Sequence, residues 1–295
     1  MCVRLATVRG TISNSIGLSL LFGLYQVVPN AVVTALGLQW LVYAVHALPF
    51  NSEKFYDLSG SLTHLMVIAT PMVSVVRGRT PRQLVCAFAS IVWMTRLGTF
   101  LFLRIRKDGK DERFDNIKRC WLAYLGAWTL QAVWVTLIQM PVLLINQIDD
   151  TTPISIFDAV ALAGWVVGFL IEALADVEKF VFRSIPENRN RFITDGIWAY
   201  SRHPNYFGEI LMWTCMAGAM SAVGVRSGDA MLHLAWLSPL FTTVLLLKVS
   251  RYIRYTRAAA QRCSTRSTRY IRHIRHIRYT HYIRYIRYSC SSSIY

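Results

Sequence analysis

Long apolar stretches leave this chain few folds to choose from. They fall at about 13–28, 31–50, 61–76, 83–103, 120–145, 156–175, 207–225 and 230–249. Several reach the roughly 20 residues that a helix needs to cross a bilayer. In hydrocarbon every backbone amide and carbonyl must be paired internally, which a helix does within its own segment. The expectation is an all-α, polytopic integral membrane bundle of seven or eight transmembrane helices. The first and third stretches are short, and Pro29 and Pro71 interrupt the pattern. A composition that is 54% hydrophobic and 16% charged agrees with a membrane protein. A cleavable signal peptide is not expected, because the first apolar run passes into the second with no small-residue cleavage site between them.

The net charge of +16 overstates how basic the bundle is, since eleven arginines fall in residues 250–295, where no acidic residue stands, leaving +5 for the rest. Basic residues elsewhere are asymmetric. With eight spans, Arg104 to Arg119 and Lys179 to Arg202 share a side with both termini, and the opposite side has Arg77, Arg79, Arg82 and Arg226. The positive-inside rule makes the two basic loops and the termini cytosolic. Six cysteines (Cys2, Cys86, Cys120, Cys215, Cys263, Cys290) show no ligand spacing, so neither a metal site nor a disulfide framework is expected.

Two parts follow from the change of character near Ser250: a membrane domain over 1–250 and a low-complexity tail over 251–295. The tail repeats Tyr-Ile-Arg and His-Ile-Arg triplets, clearest from Tyr270 to Tyr288. A period of three fits neither a helix nor a buried strand. The tail reads as disordered or non-native, the translation of a short nucleotide repeat. Its alternative is a polybasic arm on anionic lipid or nucleic acid; a specific nucleic-acid partner is not expected. Nothing in the chain sets an oligomeric state.

Residues 172–213 carry the chemistry. Glu172, Asp176, Lys179 and Arg183 are spaced 0, 4, 7 and 11 on an apolar helix. At about 100° per residue they form one polar stripe roughly 60° wide. A loop with Arg189, Arg191 and Asp195 follows, and Ser201-Arg202-His203-Pro204 leads into a second apolar helix. Proline at a first helical position needs no amide partner, so Pro204 is the predicted start. Asn205 and Glu209 are then i, i+4 neighbours, with Tyr206 between them. Ionisable groups at membrane depth cost about 2.5–3.5 kcal/mol each on insertion scales, so several together face a cavity or a ligand. The competing reading is a juxtamembrane loop whose charges snorkel to headgroups.

Three further places hold polar groups. Phe55-Tyr56-Asp57-Leu58-Ser59-Gly60-Ser61 sets an acid, an aromatic and hydroxyls at the mouth of a helix, with His64 one turn inside. Asp57 or Ser59 either caps that helix or faces a substrate pocket. Trp93 and Arg96 lie in one span, and Arg96, about two turns below the cytosolic end, calls for an anionic partner. Gln131 lies in the tryptophan-rich span after residue 120 and, with Trp93 and Arg96, is assigned to a substrate pocket.

The signature Ser201-Arg202-His203-Pro204-Asn205-Tyr206-Phe207-Gly208-Glu209 resembles the steroid 5α-reductase C-terminal-domain family, in particular an uncharacterised branch carrying it. Residues 55–61, Arg96-Leu97-Gly98 through Gly109-Lys110-Asp111, and Glu172 through Lys179 agree, so the resemblance covers roughly 50–250. More distant cousins are Δ14-sterol reductases and isoprenylcysteine carboxyl methyltransferases. The resemblance implies an NADPH-dependent reductase of the endoplasmic-reticulum type acting on a C=C bond of a hydrophobic lipid substrate. Glu172, Asp176 and Arg183 match its cofactor-binding positions, as does Asn205 to Glu209. Lys179, Arg189, Arg191, Arg202 and His203 join them as cofactor candidates.

Three departures stand out. The steroid enzymes have asparagine at the position of Glu172 and a catalytic tyrosine at that of Trp93. Either another proton donor serves, with Asp57, Tyr56 and His64 as the candidates, or the chemistry differs. The repeat tail also replaces the family's usual close. In the reductase reading, arginines take pyrophosphate and 2′-phosphate while carboxylates and amides take ribose, adenine or carboxamide groups. The absence of a Gly-rich fingerprint excludes a Rossmann carrier. The other readings are an S-adenosylmethionine-dependent lipid methyltransferase and a non-catalytic membrane scaffold.

Overall fold

A computed structural model describes residues 2–73, 79–109, 111, 114–188 and 191–249. The described residues are mainly helical, with no strand among them. In order they form α1 (Cys2–Tyr25), α2 (Pro29–Val42), which runs through a π-turn into α3 (Leu48–Phe50), α4 (Tyr56–Val73), α5 (Pro81–Asp108), α6 (Trp121–Ile138), α7 (Met140–Ile145), α8 (Ile156–Ser184), α9 (Pro204–Ser227) and α10 (Leu237–Val244). Residues 1–242 make one compact unit and Thr243 begins a second. The tail lies outside the described residues.

The starts and stops are chemical. Thr80 and Gln83 close a capping box around Pro81 at the head of α5, and Gly109 ends the helix with φ 76°. At the head of α8 the Asp158 carboxylate accepts the Ser155 amide at 2.8 Å. Pro204 opens α9 as predicted, and Gly228 closes it with φ 74°.

Among the described residues six helical stretches are long and apolar enough to cross a membrane: Pro29–Phe50, Pro81–Arg106, Trp121–Ile138, Ile156–Ser184, Pro204–Ser227 and Ala230–Leu247. The expected count of seven or eight drew also on α1 and α4. Those helices form, but Arg4, Arg9 and Asn14 in one and Asp57, Thr63 and His64 in the other dilute their apolar character. The fold is a polytopic helical membrane bundle. Large apolar side chains on its outside, such as Phe157, Val160 and Phe88, are then lipid-facing rather than misplaced.

The closest seam is between α8 and α9. A Cβ at Gly168 would lie 2.7 Å from the Gly208 carbonyl oxygen, and one at Gly208 would lie 2.8 Å from the Glu172 amide nitrogen. Only bare backbone lets the two helices approach this far, the usual device where lipid supplies no hydrophobic drive. The helices run antiparallel, so the register that sets Gly168 on Gly208 also brings Asp176 beside Asn205. Inside the bundle, Trp93 and Trp213 are fully buried and meet edge to face at 5.0 Å.

Candidate functional site

Arg96 of α5 is where the predicted stripe finds its counter-charge. Its Nη1 donates to Asp176 Oδ2 at 2.6 Å, and its Nη2 forms an ion pair with Glu172 Oε1. Glu172 and Asp176 are one turn apart on α8, so one guanidinium fork spans both. The guanidinium also sits 5.8 Å from the centre of the Phe169 ring. The expected anionic partner of Arg96 therefore exists, and the ion pairs make Arg96 part of the polar cluster.

Two more elements complete the cluster. Asn205 Nδ2 donates to Asp176 Oδ1 at 3.3 Å, and Glu209, one turn further along α9, interacts electrostatically with Glu172, Asp176 and Arg96. Trp93 donates its indole N–H to Glu172 Oε2 at 3.2 Å. The residue that replaces the family's tyrosine thus acts as a neutral donor to a carboxylate. Sequence reasoning recognised the substitution but missed this bond, because it depends on how α5 meets α8.

The cluster is under-satisfied. Asn205 Oδ1 is buried and lacks a hydrogen-bond partner among the described residues, and so does Nε1 of Trp213, whose ring meets that of Trp93. Three carboxylates face one guanidinium. Buried polar groups are normally paired, so the free Asn205 Oδ1 beside these carboxylates is hydrogen-bonding capacity left over. Trp213 was not among the predicted site residues. Its position four residues after Glu209 was the available signal, since that places both on one face of α9.

The stripe changes character toward its C-terminal end. Lys179 Nζ lies 5.0 Å from the ring centre of Trp198, whose indole donates to the Ala175 carbonyl at 3.1 Å. The short helical turn Gly196–Ala199 is tied down further by the Ile197 amide donating to Glu178 Oε2 at 3.2 Å. Arg183, Arg191 and Arg202 are exposed, and Arg189 lies outside the described residues. His203 stacks on Tyr206 with ring centres 4.8 Å apart. The acidic and amide groups therefore lie inside the bundle, and the arginines lie on its rim.

The three proton-donor candidates separate. Tyr56 donates its hydroxyl to the Ala127 carbonyl at 3.0 Å, which commits its only proton to packing against α6. Asp57 faces Arg104 at 3.5 Å, and Gln131 Nε2 donates to the Tyr56 carbonyl at 3.0 Å. Asp57 and Ser59 lie inside the first turn of α4, and the Ser59 hydroxyl donates to the Tyr56 carbonyl at 2.8 Å. His64 is fully buried, with its ring 5.6 Å from that of Trp93. Its Nδ1 lies 3.0 Å from Gln139 Nε2, and Gln139 Oε1 accepts from Ser90 at 2.7 Å. That network assigns Nδ1 as the acceptor in a neutral ring and leaves the proton on Nε2, which has no partner among the described residues.

Among the described residues no group of three or more histidine, cysteine, aspartate or glutamate side chains is placed to hold a metal ion. No curated protein and no solved structure matches the chain. A family model does, over residues 42–276, which carries the similarity past Ser250 into the first part of the repeat tail. The chain belongs to DUF1295, a family of unknown function made up of steroid 5α-reductase-like membrane proteins.

Proposed function

We propose that this protein is an NADPH-dependent reductase of a C=C bond in a membrane-borne lipid. The observation that carries the reading is the convergence of Glu172, Asp176, Asn205 and Glu209 from two helices on Arg96 of a third, with exposed arginines at the rim. A dinucleotide has this polarity. Its ribose and amide groups donate hydrogen bonds to buried acceptors, and its phosphates pair with guanidinium groups nearer water. The unpaired Asn205 Oδ1 and Trp213 N–H are the capacity that such a ligand would use.

The cofactor would supply hydride, and the protein would bind it, orient it and lower the local dielectric. Among the chain's own residues, His64 Nε2–H is best disposed to hold a proton for transfer. It lies behind Trp93, which in turn contacts Glu172. The family's steroid 5α-reductase-like character supports the same reading, as does the unchanged Asn205-to-Glu209 segment.

One observation favours a second reading. The cluster holds more carboxylates than cations, which suits a sulfonium and an ammonium, and hence S-adenosylmethionine. Titration of the full chain in detergent with NADPH, NADH and S-adenosylmethionine separates the two. The expected result is NADPH binding at least about tenfold tighter than NADH, weakened by Arg183→Ala and by Glu209→Gln. Binding of S-adenosylmethionine with no binding of either nicotinamide dinucleotide overturns the reductase.

A further inference from the structure

A cavity lies in the same unit, and none of the residues of the polar cluster lines it. It is a cavity of about 340 Å³ between α5, α8 and α9, walled by Cys86, Ala89, Leu162, Trp165, Met216 and Ala219. Small side chains facing one another across three helices create the space, so it follows from the sequence and not from a packing fault. A cavity of about 150 Å³ holds benzene, so this one has room for roughly a dozen carbon atoms. Its walls are almost entirely apolar, and ligand sites of this size in proteins are built that way.

The polar residues at one end decide what can enter. Arg82 and Asp158 line the cavity there, yet both are spoken for. Arg82 Nε and Nη2 donate to Asp158 at 2.7 and 3.1 Å, Nη2 also donates to the Pro153 carbonyl at 2.9 Å, and Nη1 is shared by Asp150 and Thr152. Asp158 further accepts the Ser155 amide. A charged headgroup entering here would lose its water and find no free counter-charge, a cost of several kcal/mol per ion. A neutral chain loses nothing.

The way in is lateral. Val85 of α5 and Leu162 of α8 both line the cavity and are each 43% exposed on the flank that faces lipid. The inner wall at Trp165 connects to the polar cluster, because Trp165 stacks on Phe169 at 5.3 Å and Phe169 carries the Arg96 guanidinium on its face.

We propose that this cavity is a binding site for a single uncharged hydrocarbon chain of about a dozen carbons, acyl or isoprenoid, taken laterally from the bilayer. The site goes beyond the reductase reading and stands without it. The occupant is neutral because the ion pairs at the cavity's polar end are closed, and it is one chain because the volume holds no more.

The test is photolabelling of the full chain in lipid nanodiscs with a mid-chain diazirine dodecanol, and with the matching dodecanoate. The expected result is saturable labelling of segments containing Cys86 and Trp165 by the alcohol, and several-fold less by the carboxylate. Ala89→Phe fills the cavity and should cut labelling at least about fivefold. Leu162→Trp, on an exposed flank where a larger side chain needs no interior room, should do the same and serves if Ala89→Phe does not fold. Labelling that does not saturate, that spreads over outward residues such as Phe157 and Val160, or that survives Leu162→Trp overturns the site. NADPH titration of the same variants should be unchanged. Absent NADPH binding with saturable labelling intact counts against the reductase alone.

Discussion

Two charge clusters sit in this apolar bundle, and they are built to opposite standards. At one end Arg82 spends every donor it has, on Asp150, Asp158, Thr152 and the Pro153 carbonyl, and Arg226 adds a contact to Asp158 at 3.6 Å. Toward the other end Arg96 holds Glu172 and Asp176, with Glu209 beside them and Asn205 Oδ1 and the Trp213 N–H left over. A network that closes on itself fastens helices. A network with surplus acceptors keeps hydrogen-bonding capacity that the fold does not use. The same residue types do both jobs, so the satisfaction of their hydrogen bonds separates the roles where residue identity does not.

The largest effect should come from breaking the closed cluster. Arg82→Leu strands two carboxylates in a place that water barely reaches, since the Asp150 and Asp158 side chains are 1% and 13% exposed. Removing one partner of a buried pair costs about 3–5 kcal/mol. The expected outcome is a large drop in thermal stability in detergent. A melting temperature within a degree or two of the parent would show that the cluster fastens nothing.

The open cluster should respond in the other currency. Glu172→Gln keeps the shape and the acceptor for the Trp93 indole, and Asp176 still neutralises Arg96. Stability should change by less than about 1 kcal/mol, the common pattern where a site is built for a ligand rather than for folding. NADPH binding should weaken at least about tenfold, roughly 1.4 kcal/mol. If stability falls as far as in Arg82→Leu while binding is unmoved, the contrast between the clusters is wrong.

That contrast was only half legible in the sequence. The spacing of Glu172 and Asp176 placed two acids on one helical face, and Pro204 fixed where Asn205 and Glu209 begin, because both depend on local periodicity. The depth of Arg96 demanded a partner without saying which. What joined these pieces was the register of α8 on α9, set by Gly168 against Gly208, and no local pattern encodes which glycine meets which. The same holds for Trp93 on Glu172 and for His64 behind Trp93. The Arg82 network went unread for a related reason: Arg82 lies some 70 residues from Asp150 and Asp158 in the chain, and each looks by itself like a solvated helix end.

The smallest effect lies outside the membrane, at Glu53, and it tests whether a closed pair there also acts through stability. The Glu53 carboxylate is buried in the loop before α4, where it accepts from Lys118 Nζ and from the Asp111 amide at 3.1 Å. Burial alone would push its pKa up, but the Lys118 hydrogen bond and charge, together with the backbone amides, hold it below the ordinary glutamate value. A carboxyl group whose pKa is lower folded than unfolded stabilises the fold above its unfolded value, near 4.3, and loses that contribution as pH falls through the folded value. The contribution is at most on the order of 1 kcal/mol, because a pair near the surface is partly screened. Since many carboxyl groups titrate in the same range, the quantity to measure is the stability gap between the parent and Glu53→Gln. It should be constant from pH 8 to about pH 5 and should close below about pH 4. A gap that stays open in acid would mean that Glu53 supports the loop by shape alone, and that charge closure matters only within the bundle.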